Sequence, residues 1–80
     1  MNPRVKQVST LSNYKLSLVF TNGECGIYDC SSLLEFGIFK ELKNTNYFSQ
    51  AKVFDGTVMW PHDQDICPDT LYLESLRENT

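Results

Sequence analysis

Two glycine-containing dipeptides constrain this chain more than any other feature. Asn22-Gly23 and Asp55-Gly56 each stand between short stretches rich in β-branched and aromatic residues. Such pairs accept the positive φ angles of a two-residue hairpin turn, so each predicts two antiparallel neighbouring strands. A third turn pair, Ser12-Asn13, precedes the alternating segment YKLSLVFT. Strands are therefore predicted at about 4–11, 14–21, 24–28, 47–54 and 57–60.

Two further segments have helical patterns. Ser32 and Glu35 have the spacing of a capping box, which predicts a short helix over about 31–36 with Gly37 as its left-handed C-terminal cap. The apolar segment GIFKELKN after it predicts another helical turn packed on the sheet. Pro68 and Asp69 predict the start of a last helix at about 68–78. The order β-β-β-α-β-β-α indicates an α+β fold, a small antiparallel sheet with one face covered by short helices.

The composition is that of one small folded domain. Of the 80 residues, 41% are hydrophobic and 21% are charged, which suits a single domain over residues 1–80. No stretch approaches the ~20 apolar residues that cross a bilayer, and the N-terminus lacks the apolar segment of a secretory signal. We expect a cytoplasmic protein that does not bind membranes. Its three cysteines lack C-x-x-C spacing and are interpreted as buried or idle thiols.

The charges are divided unevenly along the chain. Residues 1–52 contain six basic and four acidic side chains, whereas residues 53–80 contain six acidic side chains and one basic one. An acidic C-terminal third would repel a phosphate backbone. Direct nucleic-acid binding would have to use the scattered Arg4, Lys6 and Lys15, so nucleic acid is not an expected direct partner. A nucleic-acid-binding transcriptional regulator component is kept as an alternative function.

The acidic loop 62–69 concentrates the residues that could carry chemistry. His62, Asp63, Asp65 and Asp69 could offer ligands to a divalent cation, but their spacing does not match an EF-hand loop. A metal-dependent hydrolase using this loop is kept as a second alternative. The favoured interpretation is structural: Asp65 accepts backbone N–H bonds in the turn that leads into the last helix.

Cys67 in this loop and Trp60 just before it can each be interpreted as functional or as structural. Cys67 stands at the start of the predicted helix, where a thiol pKa is lowered. A thiol nucleophile needs an oriented base, and His62 is the only histidine, so a catalytic role is not expected. Trp60 could be an exposed anchor for a partner, but a Trp that ends an alternating strand more often covers the core.

Three segments resemble a known family. NGECGIYDCSSLLEFGIFKEL, FSQAKVFDGTVMWP and DICPDTLY are similar in order and spacing to the small bacterial family named domain of unknown function 2442. The most specific part of this resemblance is the spacing of Trp60, Asp65, Pro68, Leu71 and Tyr72. The chain departs from the family at His62-Asp63, where members often have Asn-Gly. The resemblance implies a small α+β domain without established chemistry, cofactor or catalytic residue, found in gene arrangements that resemble toxin–antitoxin pairs.

These observations favour a non-enzymatic protein-interaction or regulatory module. We expect the antitoxin-like or accessory member of a bacterial two-gene unit, or an inhibitor from a mobile element. Contact with a protein partner is expected around the Trp-Pro loop, at Trp60, His62, Asp63 and Asp65. A two-layer domain also leaves a sheet face or edge open, so a homodimer through an open edge is a further expectation.

Overall fold

The computed structural model describes residues 2–77. Within them lie seven strands: β1 (Val5–Leu11), β2 (Lys15–Phe20), β3 (Cys25–Asp29), β4 (Lys52–Phe54), β5 (Thr57–Met59), β6 (Asp65–Ile66) and β7 (Leu76–Arg77). Two short α-helices are α1 (Thr45–Phe48) and α2 (Pro68–Glu74). The 3₁₀ helices are Ser12–Tyr14, Ser31–Leu33 and Gly37–Lys43.

The strands form two antiparallel sheets. The four-stranded sheet has the order β1-β2-β3-β7, and the three-stranded sheet has the order β4-β5-β6. The predicted α+β class is confirmed, but the expected single sheet is divided into two. The division follows from pairing within the C-terminal half, where β5 pairs with β4 on one side and β6 on the other.

Both predicted hairpins are present, but only the second has a two-residue turn: Asp55-Gly56 alone separates β4 from β5, whereas residues 21–24 separate β2 from β3. Gly23 has a φ of +88° and Gly56 a φ of +80°, which residues with a Cβ adopt only with strain. At Gly56 a Cβ would also lie 3.0 Å from the Cβ of Arg4. The N–H of Val5 donates to the carbonyl of Gly56 at 2.9 Å, so the second hairpin is fastened to the start of β1.

The segment between the two hairpins is less regular than predicted. Only Ser31–Leu33 is helical in the predicted 31–36 helix, and the Asp29 carboxylate accepts the N–H of Ser31 at 2.9 Å. Phe36 has extended backbone, and Gly37 begins the 3₁₀ helix Gly37–Lys43 instead of ending a helix as a left-handed cap. The further helical turn predicted for GIFKELKN is therefore present.

The predicted strand 47–54 is wrong in its first half. The side chain of Asn44 accepts the N–H groups of Asn46 and Tyr47 at 2.9 and 3.3 Å, which starts α1. This N-cap overrides the strand preference of the aromatic pair that follows, because it satisfies two backbone donors locally. The chain becomes extended only from Lys52.

The last helix begins at Pro68 as predicted and ends early. Ser75 has extended backbone, with a ψ of 146°, and Leu76–Arg77 leaves the helix to pair with Gly26 and Ile27. The predicted helix end at residue 78 lies outside the described residues.

The core lies between the two sheets and the short helices. Along β2 the side chains of Leu16, Leu18 and Phe20 are fully buried, while the alternate residues Lys15, Ser17 and Val19 are partly exposed. This is the alternation predicted for a half-buried strand. The four-stranded sheet therefore packs one face on the core and leaves the other face open.

Candidate functional site

Trp60 anchors the loop for which partner contact is predicted. Its side chain is 0% exposed, and its indole N–H donates to the carbonyl of Phe48 at 2.9 Å. Its backbone N–H donates to the carbonyl of Gln64 at 2.9 Å, and its carbonyl accepts from Asp63 at 3.0 Å. Trp60 therefore belongs to the core and cannot contact a partner directly, which corrects its place among the predicted contact residues.

Asp65 does not have the role predicted for it. The residue lies in β6, where its backbone pairs with Met59, and its side chain is exposed. Among residues 2–77 its carboxylate accepts no backbone N–H, so the predicted contact in the turn before α2 is not formed. Gln64, the residue before it, holds the loop instead.

Gln64 is a buried polar residue that sequence reasoning did not single out. Its side chain is 3% exposed. Its Oε1 accepts the hydroxyl of Tyr47 at 2.5 Å, and its Nε2 donates to the carbonyl of Ile38 at 3.1 Å and to Glu41 Oε1 at 2.9 Å. The only sequence signal was a Gln flanked by aspartates, which gives no indication of burial.

His62 completes this network from the surface. Its Nδ1 lies 2.7 and 2.9 Å from the two carboxylate oxygens of Glu41, and its backbone N–H donates to the Tyr47 hydroxyl at 2.8 Å. Its ring stacks on that of Tyr47, with centroids 5.1 Å apart. Two hydrogen bonds lower the pKa of Glu41: the larger effect comes from His62 and the smaller one from Gln64. We call Glu41, Tyr47, His62 and Gln64 the polar cluster.

The polar cluster fixes a segment that exposes two large apolar side chains. Phe36 is 65% exposed and Ile38 is 66% exposed, although Leu42 in the same segment is fully buried. The bond from Gln64 to the carbonyl of Ile38 ties this segment to the turn after Trp60. We call the exposed side chains of Phe36, Ile38, His62 and Asp63 the Phe36–His62 surface.

The residues considered for metal binding are not gathered into a site. His62 is bound to Glu41, and the amide of Asn2 donates to Asp69 at 3.3 Å. Among the described residues no three His, Cys, Asp or Glu side chains lie close enough together to hold a metal ion. Residues 2–77 also enclose no pocket.

The cysteines have different environments. Cys67 is exposed at the N-cap position of α2, where the backbone N–H groups of Thr70 and then Asp69 lower the pKa of its thiol. The ring of His62 contacts Glu41 through Nδ1, and among residues 2–77 no hydrogen bond joins it to Cys67. Burial raises the pKa of Cys30 to about 12.

Pro68, Leu71 and Tyr72, the other residues of the spacing that resembles the family, hold the C-terminal segment in place. Leu71 is fully buried, and Pro68 is the first residue of α2. The Tyr72 hydroxyl donates to Glu24 at 2.5 Å, and Arg77 Nε donates to the other oxygen of Glu24 at 3.1 Å. The Arg77 guanidinium also lies 4.1 Å from the centroid of the Tyr72 ring. This arrangement fastens α2 and β7 to the first hairpin.

The basic residues considered for nucleic acid are not grouped. Lys6 lies beside Val5 at the β1 end that pairs with Phe20, whereas Lys15 pairs with Leu11 at the opposite end of the same ladder. Lys15 is also directly opposite Asp29 in β3. Of the described helices, none is long and apolar enough to cross a membrane.

The fold and the site define a small α+β domain in which a polar cluster presents an exposed apolar surface. The chain belongs to the family described as Protein of unknown function (DUF2442), whose model matches residues 5–76. The resemblance seen in the sequence is thereby confirmed over nearly the whole chain. No curated protein and no solved structure matches it.

Proposed function

We propose that this chain is a small protein-interaction module that binds a partner protein through the Phe36–His62 surface. The observation that carries this proposal is the exposure of two large apolar side chains, Phe36 at 65% and Ile38 at 66%, on a segment held by a buried polar network. Aromatic and apolar side chains with a polar rim are typical anchors of protein interfaces.

The polar cluster supports this role because it holds the surface in one arrangement. Gln64 bonds to the 3₁₀ helix Gly37–Lys43 through the carbonyl of Ile38 and to α1 through the Tyr47 hydroxyl. His62, in the turn after Trp60, bonds to the same two elements through Glu41 and Tyr47. A surface that is already ordered loses less conformational entropy when it binds. Two exposed apolar anchors on such a surface can therefore contribute more of their contact energy to affinity.

The charges around the surface indicate the chemistry of the partner. Asp63, Asp65 and Glu41 are exposed, and the whole chain has a net charge of −3. An apolar pocket with lysine or arginine residues at its rim would complement this surface. We propose a partner of that kind, and we expect the association rate to fall as salt is added.

The test begins with affinity capture from a lysate of the native host. The captured protein is then purified, and its affinity for the chain is measured by isothermal titration calorimetry. Ile38→Ser should weaken binding by about tenfold or more, because it removes an anchor from the contact. The matched control is Leu73→Ser, since Leu73 is 67% exposed on α2.

The control should bind within about twofold of the unchanged chain. Equal affinity of the Ile38→Ser variant, or a loss only in the Leu73→Ser variant, would contradict the proposed surface. Failure of the folded chain to capture any protein would contradict the interaction module itself.

The wider role that we propose is regulatory and non-enzymatic. It would be that of an antitoxin-like or accessory protein of a two-gene unit, or of an inhibitor from a mobile element, acting in the cytoplasm. The free state of Cys25, Cys30 and Cys67 suits a reducing compartment. Direct nucleic-acid binding is tested by gel shift on random duplex DNA at low salt, where we expect no complex at micromolar protein.

A further inference from the structure

The outer face of the four-stranded sheet is a second surface, separate from the Phe36–His62 surface. Its side chains come from the odd-numbered positions of β1, β2 and β3 from residue 7 onward, which alternate with the buried positions. In β7, Leu76 is 77% exposed and pairs with Ile27 on the same face. Val19 and Ile27 place further apolar groups there, both only partly covered.

The charges on this face are few and balanced. Lys15 and Asp29 are the charged residues at its positions in β1, β2 and β3, and they are direct cross-strand partners at one end of the face. These positions are therefore neutral together in a chain with ten acidic and seven basic residues, and the nearest further charge is the exposed Lys6 at the β-bulge before Gln7. The surplus of acidic side chains elsewhere on the molecule would oppose self-association. The odd-numbered positions of this face contribute nothing to that surplus.

We propose that this face packs against the same face of a second copy of the chain. The proposed dimer has a two-fold axis between the two faces, parallel to the strands and midway between β2 and β3. Rotation about that axis places β2 of one copy over β3 of the other while preserving position along the strands. Lys15 then lies opposite the partner's Asp29, and the reciprocal pair forms at the same time.

The same rotation places the apolar and small residues together. Ser17 lies opposite the partner's Ile27, because these residues are cross-strand neighbours in one copy. Val19 likewise lies opposite the partner's Cys25. The rotation thus brings Lys15 and Asp29 of the two copies together at one end of the face and leaves only uncharged residues opposite Val19 and Ile27. Two faces of this kind pack at about 10 Å in β-sandwiches.

The size of the face sets the expected strength of the dimer. Three strands of at least five residues each, with the two residues of β7 beside them, give a footprint of at most roughly 19 by 16 Å. Two such footprints together are smaller than the ~1,200 Å² of a standard stable interface. The dimer is therefore weak and concentration-dependent, so it is to be sought at protein concentrations of about 10 µM to 1 mM.

The experiment is sedimentation equilibrium on the full chain and on two charge-reversal variants. Lys15→Glu and Asp29→Lys should each weaken the dimer about tenfold or more, because like charges then meet twice across the axis. An equimolar mixture of the two variants should associate as strongly as the unchanged chain, since every facing pair is complementary again. Circular dichroism establishes that each variant is folded before it is mixed.

The matched control is a mixture of Lys52→Glu and Asp65→Lys, which makes the same charge changes at exposed positions of the three-stranded sheet. That mixture should show no preferential association over the single variants. A strictly monomeric chain at 1 mM, or a dimer whose mixture of face variants shows no recovery, would overturn the proposal. A dimer formed edge to edge would persist without recovering in the mixture of Lys15→Glu and Asp29→Lys, because these residues would not face each other across its interface. Neither Lys15→Glu nor Asp29→Lys changes a residue of the Phe36–His62 surface or the acidic groups around it, so the two proposals fail independently.

Discussion

Replacement of Gln64 by Met should destabilise the protein more than any other change in the loop after Trp60. Methionine keeps the length and most of the volume of glutamine but makes none of its hydrogen bonds. The variant therefore removes the bonds to the Tyr47 hydroxyl, the carbonyl of Ile38 and Glu41 without opening a large cavity.

The size of the effect follows from the two neutral bonds. These are worth about 1 kcal/mol each. The Glu41 carboxylate is exposed and water can replace the lost donor, so its bond is not counted. Gln64→Met should therefore cost about 2 kcal/mol, which in a domain of this size lowers the Tm by roughly 8–16 °C.

Urea denaturation monitored by Trp60 fluorescence measures this cost directly. The control is Asp65→Ala, at the next position, whose exposed carboxylate lies outside the polar cluster and should contribute less than about 0.5 kcal/mol. A Gln64→Met variant within 0.5 kcal/mol of the unchanged chain, or a larger loss in the Asp65→Ala variant, would refute the assignment of the loop to Gln64.

Three further measurements test separate parts of the structure. Trp60→Phe removes the indole N–H that donates to the carbonyl of Phe48 and leaves a cavity in the core, so it should cost about 2 kcal/mol or more in urea denaturation followed by circular dichroism; a cost below about 0.5 kcal/mol would contradict that hydrogen bond. The hydroxyl of Tyr72 is the main cause of the lowered pKa of Glu24, so the stability that this carboxylate provides is complete above pH 4.5 and is lost as the pH falls through the lowered pKa. Tyr72→Phe should return that pKa, followed by carboxyl NMR titration, toward 4.5, and an unchanged pKa would contradict the contact. Iodoacetamide should label Cys67 first in the folded chain and Cys30 only after unfolding, and early labelling of Cys30 would contradict its burial.

The elements that depend on neighbouring residues are the ones that the sequence predicted well. Asn22-Gly23 and Asp55-Gly56 form hairpin turns because positive φ is required at their glycines. Pro68 begins α2 because its missing N–H has no partner in a first helical turn. Each signal lies within a few residues of its effect, so a single sequence contains it.

Two features that the sequence did not predict depend on distant residues, whereas α1 was missed although its Asn44 cap lies only two or three residues from the N–H groups that it accepts. β7 exists because Leu76 and Arg77 pair with a strand about fifty residues earlier, and nothing around Arg77 indicates that strand. Gln64 is buried because Tyr47, Ile38 and Glu41 surround it from other segments. The structural role in the loop after Trp60 was accordingly predicted for Asp65, whereas the adjacent Gln64 performs it.

The most direct test of the Phe36–His62 surface is an amide chemical-shift map. The ¹⁵N-labelled chain is titrated with the purified captured partner, and perturbations are followed residue by residue. The proposed function predicts that the largest changes lie in 36–43 and 61–64, while the strands of the four-stranded sheet change little. Perturbations confined to β1, β2 and β3, with 36–43 unaffected, would contradict the proposed surface and place the partner on the sheet instead.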